Sequence, residues 1–371
     1  MSLQDEITLM SKVIMTDSYP MSIGELSNIY KDGDMDLHPE FQRIFRWDIK
    51  QKSNLIESIL LGIPIPPIFV YQTKEGVWDV IDGLQRLSTI FEFMGILKSD
   101  DLNGEIKEVA ASKLIKTKFL PSLEGKFWES EDEENSLDEA QRRFIKRAKL
   151  DIKIVEKSSD PNAKYELFQR LNTGGAHLSP QEIRNCLLVM INRDLYLAIK
   201  ELNEYENFKD CLPLTDNNVE QQNDMEMVVR FIVARHSNLD EINREDNMHE
   251  YLTERMTHIA QENAIDLEHE KAIFKQTFDY LKDLLADDVF RKYYDVKGRF
   301  EGAVLISSYE AIVLGVSKNI HKLKQVDREV VLSKIKELYS NPVYLDSTRR
   351  GIRPINRFKS LSTLSLGYFN V

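Results

Sequence analysis

The stretch from Val77 to Met94 leaves the chain few ways to fold. Val77 to Ile81 is mostly apolar, Asp82-Gly83 follows, and Leu87, Ile90, Phe91 and Met94 then recur at helical spacing. Such a pattern predicts a strand, a tight turn and an amphipathic helix. Gln85 and Arg86 fall in the first helical turn, where free backbone N–H groups and the helix dipole favour an anion. A guanidinium there adds a charged, forked donor suited to phosphate. Two readings stand side by side: a phosphate-binding corner, or an ordinary Asp-Gly turn followed by a surface arginine.

Flanking segments favour the first. Upstream, Pro39-Glu40-Phe41-Gln42-Arg43-Ile44-Phe45-Arg46-Trp47 gathers two arginines, a glutamine and three aromatics. Downstream stand Phe168-Gln169-Arg170-Leu171-Asn172-Thr173-Gly174-Gly175 and Leu178-Ser179-Pro180-Gln181-Glu182-Ile183-Arg184. These segments, in this order, resemble the N-terminal domain of GmrSD-type restriction endonucleases, domain-of-unknown-function family 262, related to the ParB/sulfiredoxin fold. The family signature resembles Asp-Gly-Gln-Gln-Arg, and here Leu84 stands in place of its first glutamine. The aromatic-Gln-Arg motif is matched by Phe41-Gln42-Arg43 and Phe45 to Trp47, and the later motifs by Asn172 to Gly175 and Leu178 to Glu182. The resemblance covers residues 20 to 240. It implies that the motif with Asp82, Gly83, Gln85 and Arg86 binds and hydrolyses a nucleotide. Gln42, Arg43 and Arg46 read as further nucleotide contacts or as partners of acids such as Glu40 and Asp48, and Asn172, Thr173 and Gly174 as a helix C-cap or as a polar loop that meets the nucleotide.

At 371 residues the chain can bury more than one core. Its 42% hydrophobic and 30% charged content is that of a globular protein. No apolar run reaches the ~18 residues of a membrane span, and no secretory signal is evident. Cys186 and Cys211 have neither metal nor disulfide spacing, which predicts a reducing cytoplasmic setting. A net charge of −12 argues against a basic surface overall but allows a local one. The motif arginines 43, 46 and 86 could form it. So could the tail from Arg349 to Lys359, which reads equally as a solvated terminus.

Periodicity divides the chain into α+β and helical parts, with domains expected over 1–175 and 176–371. In the first, helices are predicted at Met21–Lys31, Gln51–Leu61, after Asp82 to about Leu97, and at Ser136–Ala148. Ile68–Gln72 and Val77–Ile81 read as a hairpin, and Asp151–Val155 as a strand closing a small mixed sheet. Asn162–Leu171 reads as a helix stopped by Gly174-Gly175. Ser179-Pro180-Gln181-Glu182 is a helix start: cap, proline, and glutamate at the third position. From there helical periodicity recurs at 220–236, 250–259, 268–285, 302–317 and 328–339, and essentially no strand is expected.

Triphosphate chemistry needs cations, a metal or water orienter and a helix N-terminus. Arg86 and Arg43 would supply the cations, with guanidinium groups within ~10 Å of each other. Asp82 or Gln85 would orient a water or a Mg2+ bound with the nucleoside triphosphate. Arg86 is expected to be exposed, so that its removal weakens binding and leaves the fold intact. Trp47 reads as core packing, and Arg170 and Arg184 as structural. The seven histidines show no metal-ligand spacing, and there is no P-loop. Relatives carry a C-terminal His-Asn-His-type nuclease, whereas this helical half has no such cluster. Three functions stay open: a nucleoside triphosphatase of a prokaryotic defence system, a non-enzymatic DNA-binding or regulatory module, and a ParB-like nuclease. Nucleotide, DNA and a separate nuclease subunit are the implied partners, with no membrane.

Overall fold

The computed structural model describes residues 3, 16–37, 47–73, 75–100, 106–155, 179–215, 218–219 and 221–370. They fall into two compact units, Met1–His177 and Leu178–Val371.

The first unit is built on a mixed five-stranded sheet. Its strands are β1 (Thr16–Ser22), β2 (Met35–Asp36), β3 (Ile68–Gln72), β4 (Trp78–Asp82) and β7 (Lys149–Val155) in the spatial order β1-β7-β3-β4-β2. β3 and β4 are the expected hairpin, antiparallel, with Gly76 at a positive φ of 91° in the turn. β7 alternates as a half-buried strand must, with Leu150, Ile152 and Ile154 inward. It does not close the sheet: β1 lies outside it, pairing antiparallel from Thr16 opposite Val155 to Ser22 opposite Lys149. β1 carries Pro20 and little apolar alternation, so its sequence does not announce a strand; an edge position tolerates the missing N–H. A separate small ladder pairs β5 (Lys98–Asp100) with β6 (Ile106–Glu108).

Helices α1 (Ile23–Asp32), α2 (Ile49–Leu61), α3 (Leu84–Phe93) and α4 (Glu139–Arg147) complete the unit. Their boundaries follow local chemistry. The Ser22 side chain accepts from the Glu25 N–H, and Asp48 and Asp138 each form a reciprocal capping box with the glutamine three residues on. That box starts α4 at Glu139 rather than Ser136. α3 stops at Phe93 rather than Leu97, because Gly95 turns left-handed and the Ile96 and Leu97 N–H groups fold back onto the Phe91 carbonyl. Ile56, Ile68, Val70, Val80, Leu87, Phe91 and Ile152 lie at the centre of one core, with Trp47 half-buried against it.

The second unit is helical. Its first helix, α5 (Pro180–Ile191), begins as its sequence dictates: Ser179 caps the Glu182 N–H, and Glu182 accepts from the Ser179 N–H at 2.6 Å. There follow α6 (Arg193–Asn203), α7 (Glu206–Cys211), α8 (Asn223–His236), α9 (Met248–Glu262), α10 (Leu267–Leu285), α11 (Ile306–Leu323), α12 (Arg328–Leu338), α13 (Pro342–Ser347) and α14 (Pro354–Tyr368). The expectation of no strand fails at one place. β8 (Lys292–Tyr294) and β9 (Arg299–Glu301) form a short antiparallel hairpin. A turn with Gly298 at φ 65° lets Tyr293 and Phe300 face each other at 5.0 Å, a cross-strand aromatic pair. Three-residue strands are too short to show a period of two.

Phe208, Phe231, Phe274, Phe278 and Tyr309 run in ring contact through this core. Threaded beside them is a buried ionic chain. Arg230 bonds Glu226 and Glu310 at 2.8 Å each, and Arg357 grips Glu310 at 2.8 and 3.2 Å. Arg184 is fully buried, bonded to Gln181, and is structural as expected. The basic tail is therefore no loose terminus: α14 docks on α11, Arg357 is an internal counter-ion, and Lys359 donates to the Asp240 and Ile242 carbonyls. Among the described residues no helix is long and apolar enough to cross a membrane, and no group of three or more His, Cys, Asp or Glu side chains is arranged to hold a metal.

Candidate functional site

The corner between β4 and α3 has the predicted form. Asp82 ends β4 opposite Phe69 of β3. Gly83 then adopts φ 93°, ψ 11°, a left-handed conformation that favours glycine. Space imposes the same choice: a Cβ on Gly83 would lie 2.3 Å from Ile68 Cδ1 and 3.2 Å from Arg86 Nη2. α3 begins at Leu84, and its N-cap Gly83 has no side chain with which to cap the first turn. Leu84, where the family signature has glutamine, packs half-buried on the core.

Arg86 corrects the sequence expectation. Its side chain is only 12% exposed, not a free surface cation. Nη2 donates to Asp82 Oδ2 at 2.8 Å, and Nη1 donates to the Pro67 carbonyl at 3.1 Å and to the Pro66 carbonyl. Burial pulls its pKa below the ordinary arginine value, against the opposing charge and hydrogen bond of Asp82. The guanidinium thus clamps three pieces of chain: the end of β4, the first turn of α3, and the Pro66-Pro67 segment leading into β3. Those prolines stand in the sequence as helix breakers, and nothing in it marks their carbonyls as acceptors. Asp82 remains 30% exposed at the mouth of the corner, with Oδ2 held by Arg86. Gln85 reaches the other way: its Oε1 accepts from the Trp47 N–H at 3.1 Å, fixing the chain just ahead of α2 to the corner.

Gln42, Arg43, Arg46, Asn172, Thr173 and Gly174 lie outside the described residues, as do the predicted helix at 162–171 and the expected approach of Arg43 to Arg86.

Residues 23–189 match the family model of the GmrSD restriction endonuclease N-terminal domain. This segment belongs to that family. The match starts at the first residue of α1 and ends within α5, taking in the Asp82 corner, α4 and β7 but not the hairpin β8–β9. Neither curated proteins nor solved structures yield a match. The GmrSD segment points to a restriction-type defence system.

Proposed function

We propose that this chain is a nucleotide-binding component of a restriction-type defence system, and that the Asp82 corner of its GmrSD segment takes the phosphates of a nucleoside triphosphate. The observation that carries this reading is the start of α3, entered through a left-handed glycine that brings no capping side chain and flanked by a carboxylate that Arg86 holds in place. Backbone N–H groups at a helix start bind phosphate without a dedicated cation. Arg86 then acts as a positioning residue, keeping the turn and the Asp82 carboxylate in register. The phosphate-neutralising charges would come from Arg43 and Arg46, with Gln42, Asn172, Thr173 and Gly174 as further contacts.

A Mg2+ ion carried by a triphosphate needs only one or two protein carboxylates beside the phosphate oxygens, and the part-exposed Asp82 meets that requirement. Bound there, the metal would neutralise charge on the phosphates. Asp82 would orient the attacking water, so that its oxygen bonds to the γ-phosphorus as the bond to the β-phosphate oxygen breaks, giving the nucleoside diphosphate and inorganic phosphate, with the water's proton passing to the released phosphate or to solvent.

The test is phosphate release from each of the four common nucleoside triphosphates, with and without magnesium and DNA. Asp82→Asn, which keeps an oxygen for Arg86 and removes the charge, should depress turnover far more than it lowers the melting temperature, while nucleotide binding survives in part. Salt-dependent DNA binding with no turnover on any nucleotide would instead identify a DNA-binding module and refute the hydrolase reading.

A further inference from the structure

The most concentrated positive charge among the described residues lies away from the Asp82 motif, on α4 and the start of β7. Between Glu139 and Lys149 stand five cations, Arg142, Arg143, Lys146, Arg147 and Lys149, against the single carboxylate of Glu139, in a chain whose net charge is −12. The helix buries only Ile145. At 100° per residue, Arg143 and Arg147 each lie about 160° from Ile145, so they crest the outward face, while Lys146 and Phe144 flank it. Exposure agrees: Arg143, Lys146, Arg147 and Lys149 are exposed, and Phe144 is 52% exposed. Glu129 occupies Arg142 at 3.1 Å, and Glu139 pairs with Arg143 at 2.7 Å. Both acids are largely exposed, so these pairs are weak and exchangeable for a stronger anion.

We infer that the outward face of α4 is a docking surface for the phosphodiester backbone of duplex DNA. Arg143 and Arg147 are about 6 Å apart along the helix axis, against one phosphate per ~3.4 Å of duplex axis on each strand. The two guanidinium groups therefore reach phosphates one or two steps apart, with Lys149 beyond Arg147 and Lys146 on the flank, its ammonium 5.8 Å from the Trp128 ring centroid. Contacts to phosphate carry no sequence information, so the contact proposed is one of backbone charge. Duplex DNA rather than another polyanion rests on the restriction-type reading of the GmrSD segment. The surface itself is independent of nucleotide binding at the Asp82 corner.

The experiment uses the full chain without nucleotide and a short labelled DNA duplex of arbitrary sequence, followed by fluorescence anisotropy from about 50 to 200 mM salt. Arg143→Gln with Arg147→Gln should raise Kd about tenfold or more. The log Kd against log salt slope should become shallower by nearly 2, at ~0.9 per lost phosphate contact. Glu139→Gln, which frees Arg143, should tighten binding. Arg349→Gln with Arg350→Gln, an equal loss of exposed charge elsewhere, should change neither affinity nor slope. The inference is overturned if wild type does not bind the duplex at low salt, if the tail pair weakens binding as much as the α4 pair, or if the α4 pair weakens binding to anionic lipid vesicles alone. Because no nucleotide is added, a failure here leaves the hydrolase reading standing, and absence of turnover leaves this surface standing.

Discussion

Removing the Arg86 side chain should cost the first unit much of its stability, in contrast to what an exposed phosphate ligand would do. The guanidinium holds Asp82 at 2.8 Å, the Pro67 carbonyl at 3.1 Å and the Pro66 carbonyl, from a side chain 12% exposed. Hydrogen bonds to a charged group are worth about 1.5–3 kcal/mol when buried. Here Pro66 is exposed and Asp82 partly so, and water would replace some of what is lost. A net loss of about 1 kcal/mol per bond, together with the packing of the aliphatic stem, gives about 2–4 kcal/mol for Arg86→Ala. For a unit of this size that is a fall in Tm of roughly 4–16 °C. Arg86→Lys keeps the charge but offers a single ammonium where the fork spans separate acceptors, so it should lose about half as much. The assay is selective, because all three tryptophans, Trp47, Trp78 and Trp128, lie in the first unit. Thermal unfolding followed by tryptophan emission therefore reports this unit alone. A melting temperature for Arg86→Ala within a degree or two of wild type would refute the clamp and return Arg86 to the status of a free cation. If the clamp holds, loss of nucleotide binding in Arg86→Ala cannot by itself mark a phosphate ligand, and Asp82→Asn becomes the informative variant.

Three further outcomes follow from the second unit. Gly315→Ala would set a Cβ 2.0 Å from the Ser365 carbonyl oxygen, backbone that cannot step aside, so it should destabilise by about 3 kcal/mol or more in a denaturant titration followed by circular dichroism. Glu310→Ala would leave Arg230 and Arg357 without their shared carboxylate in a site 1% exposed, and should cost about 3–5 kcal/mol by the same measurement; equality with wild type would mean the ionic chain is dispensable. Acid should loosen this unit. Burial pushes the Glu270 carboxyl up, but His236, with Nε2 3.2 Å away, and the hydrogen bonds and charge of Arg235 outweigh it and hold the group at about 2, below its ordinary 4.5. A depressed carboxylate contributes stability that is complete above the unfolded value and lost as pH falls towards the folded one. Urea midpoints should therefore drop between about pH 4.5 and 2, and Glu270→Gln should flatten that drop.

The candidate site was legible in part. Asp82-Gly83 after an apolar run fixed the strand, the left-handed turn and the helix start, because each depends on residues within a turn of one another. The cap at Ser179 and the hairpin β3–β4 were readable for the same reason. The burial of Arg86 could not be read in the same way, because its partners, the Pro66 and Pro67 carbonyls, lie some twenty residues upstream and are ordinary backbone until β3 and β4 pair. Gln85 likewise finds the Trp47 N–H only when α2 and α3 come together.

The features readable from the residues alone are therefore local: where helices start, where glycine must turn the chain, which face of each element is apolar, and that the first segment carries the GmrSD motifs in order. The tertiary structure decided the rest. It made β1 an edge strand despite Pro20, since strand pairing needs a neighbour and not a pattern. It turned Arg357 from a basic-tail residue into the counter-ion of Glu310, and it demanded a glycine at 315 where α11 and α14 nearly touch. Charge and hydrophobicity are properties a residue carries in any chain, but burial and hydrogen-bond partnership exist only once distant segments meet, and it is those that separate a clamp from a ligand.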